Sequence, residues 1–412
     1  MTPMVGKRTL RAAALLLVPV VMATATGCWN RREIETIGFV LAAGVDEAQE
    51  EGKIQLTVLI AKPFAIGAGM GTHGTTEEKP FWVVSSTGYT VFEAVRNLLS
   101  QSPRRPFWAH NRFIVVGEEF ARKGIGDVLD LFCRDGESRL RVWIVVAKGA
   151  KASDLLQTEF ELERMPPEGA MGLLEAARMG LSTVGEDMLN DFLQRLEGEG
   201  IDPIATRAEI VPRPQEFDIR GELKREKIGG SLRLTGAAVF RNDRLVGWLN
   251  KPETRGFNWI TGKVRSGIIV IEKPGEEGKF IGLEILRAKG AFKPEVKDGR
   301  VTVTVKIEAE ANVGDIQGFI DLFKSPELWA SMERRMATVI ENEVLAAVAK
   351  AQELGSDIFG FGAELNRRDP KKWASEFRDR WDEEFRDIDV QVEVKAKLRR
   401  SGLVLRSTRI RK

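Results

Sequence analysis

Alternation of apolar and polar residues marks strands along much of the chain. The clearest run interleaves Val301, Val303, Val305, Ile307 and Ala309 with Thr302, Thr304, Lys306, Glu308 and Glu310. It predicts a strand with one face on a core and one in water. Val390, Val392, Val394, Ala396 and Leu398 repeat the pattern late in the chain. Earlier strands are predicted over 34–45, 54–60, 81–86, 112–116 and 140–147, the first two joined as a hairpin through Glu50-Glu51-Gly52-Lys53. Residues 232–240 and 245–249 read as a second hairpin, turning at Asn242-Asp243, and 267–272 as another strand.

A period near 3.6 fills the intervals. Thr90-Val91-Phe92-Glu93 is a capping box that opens a helix through Leu99. Further helices are predicted over 118–133, 153–160, 169–179, 186–197 and 252–262. The longest begins at Ser325-Pro326, a cap followed by a first-turn proline, and ends at Gly355. Its stripe is Leu328, Met332, Met336, Val339, Ile340, Val344, Ala347 and Val348. A last helical stretch, 370–386, carries Trp373, Phe377, Trp381 and Phe385 at a spacing of four. These aromatics either pack the C-terminal block on its sheet or form a docking surface. The 211–230 stretch, with Pro212, Pro214, Gly221 and a charged run, breaks the composition and reads as a linker or long hairpin. The predicted class is α+β. It comprises three mixed α/β domains, each a largely antiparallel or mixed sheet packed with helices, over 28–200, 201–290 and 291–412, behind a signal segment, 1–27.

That segment changes the picture most. Lys7, Arg8 and Arg11 precede 16 uncharged residues, Ala12 to Gly27, a run too short and too interrupted by Pro19 for a membrane span. It ends Ala25-Thr26-Gly27-Cys28, small residues before a cysteine, as in a bacterial lipobox. Cys28 is the predicted lipidation site. Acylation there tethers the folded body close to a bilayer. Cys133 then has no disulfide partner, and its apolar setting predicts a buried thiol.

The remaining composition excludes more than it assigns. The 412 residues are 43% hydrophobic and 30% charged, enough for packed cores and against a disordered or multi-span chain. Net charge is +2, but without Lys7, Arg8 and Arg11 the balance is 59 basic against 60 acidic side chains, which gives no general argument for nucleic acid. With two histidines and two cysteines, no metal or cofactor set is visible. His73 lies in a glycine-rich loop over 66–79, and His110 reads as a hydrogen-bonding residue beside a strand. Glu118 and Glu119 are adjacent and do not face one another on a helix. Gly67-Ala68-Gly69-Met70-Gly71 lacks the lysine of a phosphate loop. No catalytic residues are assigned. The tail Arg399, Arg400, Arg406, Arg409, Arg411 and Lys412 either is solvated or meets anionic lipid.

Several short motifs follow in order: Cys28-Trp29-Asn30-Arg31-Arg32-Glu33; Gly44-Val45-Asp46; Ser86 to Ala94; Arg104 to Arg112; Gly117-Glu118-Glu119; Arg134-Asp135; Glu137-Ser138-Arg139; Gly236 to Phe240; Gly247-Trp248-Leu249; Glu253-Thr254-Arg255-Gly256; Ser356 to Gly362; and Trp381. With them the chain resembles the C-subunit lipoproteins of bacterial spore germinant receptors, the Ger(x)C type, over nearly its whole length. Asn30 and Asp315 depart from the family pattern. The resemblance implies three mixed α/β domains and a non-catalytic subunit of a nutrient germinant receptor on the outer face of the spore inner membrane. It implies membrane-protein A and B subunits as partners. The alternative is a solute-binding lipoprotein of a membrane transporter. Arg104, Arg105 and Trp108, in a stretch with two prolines, are candidate contacts to a partner subunit, although Phe107 and Trp108 also suit closing the core under the following strand.

Overall fold

The computed structural model describes residue 6 and residues 33–67, 79–160, 162–185, 188–212, 230–318 and 326–400. The signal segment, Cys28, most of the glycine loop with His73, most of the 211–230 break, Ser325 and the tail beyond Arg400 lie outside the described residues.

Thirteen strands are found among the described residues. In chain order they are β1 (Ile37–Glu47), β2 (Ile54–Ala61), β3 (Phe81–Gly88), β4 (Arg105–Phe107), β5 (Phe113–Gly117), β6 (Trp143–Ala147), β7 (Ile204–Val211), β8 (Ser231–Arg241), β9 (Arg244–Leu249), β10 (Ile268–Glu272), β11 (Phe280–Lys297), β12 (Arg300–Ile316) and β13 (Asp389–Leu398). They form two sheets. The first runs β3-β2-β1-β5-β6-β7-β8-β9, with β4 beside the start of β1. β1, β5, β6 and β7 are mutually parallel, and antiparallel hairpins flank them on both sides. The second sheet runs β10-β11-β12-β13, antiparallel except for its last pair.

The central strands explain the layers. All five residues of β5 and of β6 are buried. Ile114 and Val116 enter one core with Val128, Leu129 and Phe132, whereas Phe113 and Val115 enter another with Leu155, Leu156 and Leu174. Helices therefore cover both faces, as parallel strands require. The second sheet has one wet face. Val301, Val303, Val305, Ile307 and Ala309 pack with Met332, Met336, Ile340, Val344 and Ala347 of the helix Pro326–Leu354, while Lys306 faces Glu393 in the solvent, as the alternation predicts. Asn242, at φ 53°, makes the tight turn between β8 and β9.

Three differences from the sequence reading have physical causes. The expected boundary at 200/201 falls inside a continuous sheet, because β7, β8 and β9 extend the first sheet by backbone hydrogen bonds. A parallel strand such as β6, buried on both faces, cannot serve as an open edge. The middle block 201–290 divides: the helix Lys251–Ile260, β10 and β11 join the second sheet's core. Second, 370–386 is not one helix but a chain of short α, π and 3₁₀ turns, with Phe377 at φ −120°. The spacing of four nevertheless buries Trp373, Phe377, Trp381 and Phe385 together, so they are core. Third, β11 has no counterpart in the sequence pattern, because a bulge between Ile285 and Arg287 leaves Leu286 in the solvent and interrupts the alternation.

Candidate functional site

The motif around Arg104 sits where the first sheet begins. β4 pairs in parallel with the first residues of β1, matching Ile37 to Arg105 and Phe39 to Phe107. Trp108 follows in a 3₁₀ turn and points inward. It is 3% exposed and meets Phe132 edge-to-face at 5.8 Å. Trp108 therefore closes the core, and its expected place at a partner contact is corrected: a ring with no free surface cannot meet another chain. Arg105 is exposed, and its Nη2 donates to Glu137 Oε1 at 3.1 Å, joining two motifs distant in sequence. Arg104 is half-buried with its guanidinium 5.8 Å from the Phe64 ring centroid. Asn111 is buried, and neither atom of its amide has a hydrogen-bond partner among the described residues.

The other motifs resolve into joints. Asp46, next to last in β1, is buried; its carboxylate accepts from the backbone N–H groups of Ala152 and Ser153 at 2.7 and 2.9 Å, capping the short helix Ala152–Leu156. Gly117 must be glycine because a Cβ there would overlap Asp46 Oδ1. Asp46 thus accounts for both Gly44-Val45-Asp46 and the glycine of Gly117-Glu118-Glu119. Burial pushes its carboxyl up, against the two backbone donors.

In the second joint, Arg255 Nε donates to Glu343 Oε2 at 2.8 Å and its Nη2 donates to Oε1. Trp259 Nε1 adds a third bond at 2.9 Å, and Arg255 Nη1 reaches the Ile268 carbonyl at 2.9 Å. The two helices cross at Gly256, where a Cβ would overlap the Glu343 carbonyl oxygen.

The third joint is Asp357. Its Oδ1 accepts from the N–H groups of Phe359, Gly360 and Phe361 at 3.2, 2.8 and 3.1 Å, and its Oδ2 accepts from Gly362 N–H at 2.9 Å and Trp381 Nε1 at 3.1 Å. Around it the sheets are tied together. Ser356 Oγ donates to the Phe240 carbonyl at 2.6 Å, Arg195 Nη1 donates to the Ile358 carbonyl at 2.8 Å, and Asp357 N–H donates to Asp202 Oδ2 at 3.0 Å. Burial pushes Asp357 up to about 6 despite its five donors, and burial likewise raises Asp202.

These buried carboxylates accept hydrogen bonds at the joints of the fold, two on Asp46, three on Glu343 and five on Asp357. Among the described residues no His, Cys, Asp or Glu group of three converges as a metal ion would require. Cys133 is exposed rather than buried as expected, because its side of the helix Gly126–Arg134 faces outward; desolvation still pushes its thiol up, which lowers its reactivity.

Two family descriptions cover most of the chain. "Spore germination protein N-terminal domain" matches residues 30–210, and "Spore germination B3/ GerAC like, C-terminal" matches residues 235–402. The chain belongs to the spore germinant receptor C-subunit family. Family members similar to it include the putative spore germination protein YfkR of Bacillus subtilis, 24% identical over 390 residues, which are 94% of this chain and 95% of the relative. Spore germination protein KC of the same organism is 24% identical over 394 residues, 95% of each chain. The fold matches the crystal structure of the GerBC protein, with a TM-score of 0.52 and 19% identity over 87% of this chain and 98% of that one. The family role is spore germination. Its two matched segments meet inside the first sheet, at β7 and β8. No helix of the described residues is long and apolar enough to cross a membrane.

Proposed function

We propose that the chain is a non-catalytic lipoprotein subunit of a nutrient germinant receptor, held on the outer face of the spore inner membrane by acylated Cys28 and assembled with A and B membrane subunits. The observation that carries this reading is the match of both germination segments, in order, along a chain whose N-terminus ends Ala25-Thr26-Gly27-Cys28. The use of its buried carboxylates as structural acceptors supports a scaffold rather than an enzyme.

Cys28→Ala tests the anchor. Acylation puts more than one chain into the bilayer, and one alone binds only marginally. The variant is expected to leave the membrane fraction or to remain unprocessed, read by fractionation and intact mass. Full membrane partitioning with a mature, unacylated mass would reject the assignment.

Arg105, exposed and paired with Glu137, is the member of the expected trio offered to a partner subunit. Arg105 is exposed while Glu137 is largely covered, so the pair contributes about 1–2 kcal/mol, within the reserve of a folded domain. Arg105→Ser is therefore expected to fold and attach normally but to lose the A and B subunits on co-purification from detergent extract. Intact assembly would remove Arg105 from the interface.

A further inference from the structure

The end of the first sheet where β1 begins carries apolar side chains in the solvent. Phe64 is 82% exposed and Ile34 is 68% exposed. Leu140, also exposed, lies at the same end: Trp143 pairs with Phe113 and Phe113 with Ala42, so the residues before Trp143 run level with the start of β1. Beside Phe64 an open cleft of about 250 Å³ is lined by Ile60, Trp82 and Arg104.

Exposed Glu33 and Glu35 flank Ile34, so the surface carries acids at the entry to β1 and cations beside Phe64 and Leu140. Arg105, Lys79 and Arg112 are neutralised by Glu137, Glu159 and Glu168. Arg104, Arg139 and Arg141 have no ion pair among the described residues, and Leu140 stands between the last two. Arg104 also packs beside Gly38, directly at the entry to β1. The result is exposed aliphatic and aromatic side chains interspersed with uncompensated guanidinium groups, the composition of a surface that lies in a lipid interface.

The covalent chain says what covers this surface. Cys28 is five residues before Glu33, a reach of at most roughly 18 Å when fully extended. On the lipoprotein reading, on which this inference rests, the tether keeps the β1 end of the sheet within roughly 18 Å of the acylated cysteine at the bilayer surface. We infer that this end is a second membrane contact: Phe64 and Ile34 enter the interface, and Arg104, Arg139 and Arg141 face anionic phospholipid head groups. The lipid anchor supplies attachment, and this surface sets the orientation of the body on the bilayer.

The test uses the full lipidated chain reconstituted in vesicles of phosphatidylcholine with phosphatidylglycerol. A nitroxide is placed at position 64 (Phe64→Cys) in a Cys133→Ser background. A control label is placed at position 51 (Glu51→Cys), at the tip beyond the far end of β1, roughly 35 Å away at strand rise. Both native side chains at the labelled positions are exposed, so folding is retained. The label at 64 is expected to collide with dissolved oxygen and to be shielded from a water-soluble nickel chelate, with the reverse at 51. Replacing Arg104, Arg139 and Arg141 by serine, or omitting phosphatidylglycerol, should move label 64 toward water. If the protein floats with the vesicles but label 64 meets the nickel chelate as freely as label 51, the surface assignment is overturned and the anchor stands. Should the protein fail to float at all, the anchor reading fails and this inference falls with it. A label shielded only after the partner subunits are added would mean a protein contact, which also overturns it.

Discussion

Asp357→Ala is expected to lower the free energy of unfolding by about 4 kcal/mol, because it strands several buried N–H donors without an acceptor. Four backbone groups of 359–362 and the Trp381 indole all converge on this carboxylate. Folded domains hold only about 5–15 kcal/mol in reserve, so the alanine variant approaches the limit of folding. Asp357→Asn keeps the shape and is the better probe. Its one carbonyl oxygen retains part of the bonding, while its NH2 faces N–H donors. The pH dependence has a definite sign. Asp357 is raised from 3.8 to about 6 in the fold, so the folded chain takes up a proton before the unfolded chain does. Its contribution is fully present below about 4 and is lost as pH rises through 6, a swing of about 3 kcal/mol. The stability gap between wild type and Asp357→Asn should therefore widen from pH 7.5 to pH 5. Asp202 is retained in both proteins and largely cancels. Denaturant melts at the two pH values measure the gap, and a gap that narrows toward pH 5 would contradict this account.

The second large effect is at Arg255. Its removal leaves Glu343 buried with only the Trp259 indole, an uncompensated charge worth about 3–5 kcal/mol against the fold. Arg255→Ala is expected to show that loss in urea unfolding. Arg255→Lys should retain some of the attraction but neither the bidentate geometry nor the bond to the Ile268 carbonyl. The paired replacement Arg255→Met with Glu343→Leu should recover most of the stability, since it removes both charges. If the pair is as unstable as Arg255→Ala, the buried charge is not the cause. Gly256→Val belongs to the same joint, and its side chain would force the two helices apart.

Sequence pattern exposed the second sheet better than the first. β12 and β13 alternate cleanly because one face of each is wet, and the long helix announces itself by its stripe. β7 and the sheet's continuity past residue 200 were illegible. Whether one strand pairs with another depends on partners far away in sequence, and β7 runs straight into the composition break at 211–230. The motifs at Asp46, Arg255 and Asp357 were visible as residues, but their roles were not. A buried cap reads the same in sequence as an exposed acid, and the partners of these three lie between 2 and 155 positions away. Trp108 was open to two readings for the same reason, and only the position of Phe132 decides between them.

β13 closes the second sheet by pairing in parallel with β12 along ten residues, from Thr302 with Asp389 to Ala311 with Leu398. The whole long helix and the aromatic turns lie between the two strands. A chain made N-terminus first can assemble the β11–β12 hairpin early, but β12 then waits with a bare edge until β13 has been made. Such a late, long-range closure is slow, and an unpaired strand of this length is open to pairing with a neighbouring chain. The vulnerable moment for this chain is therefore the interval between the making of β12 and the making of β13. Truncations that remove β13 should produce aggregates rather than a shortened receptor subunit.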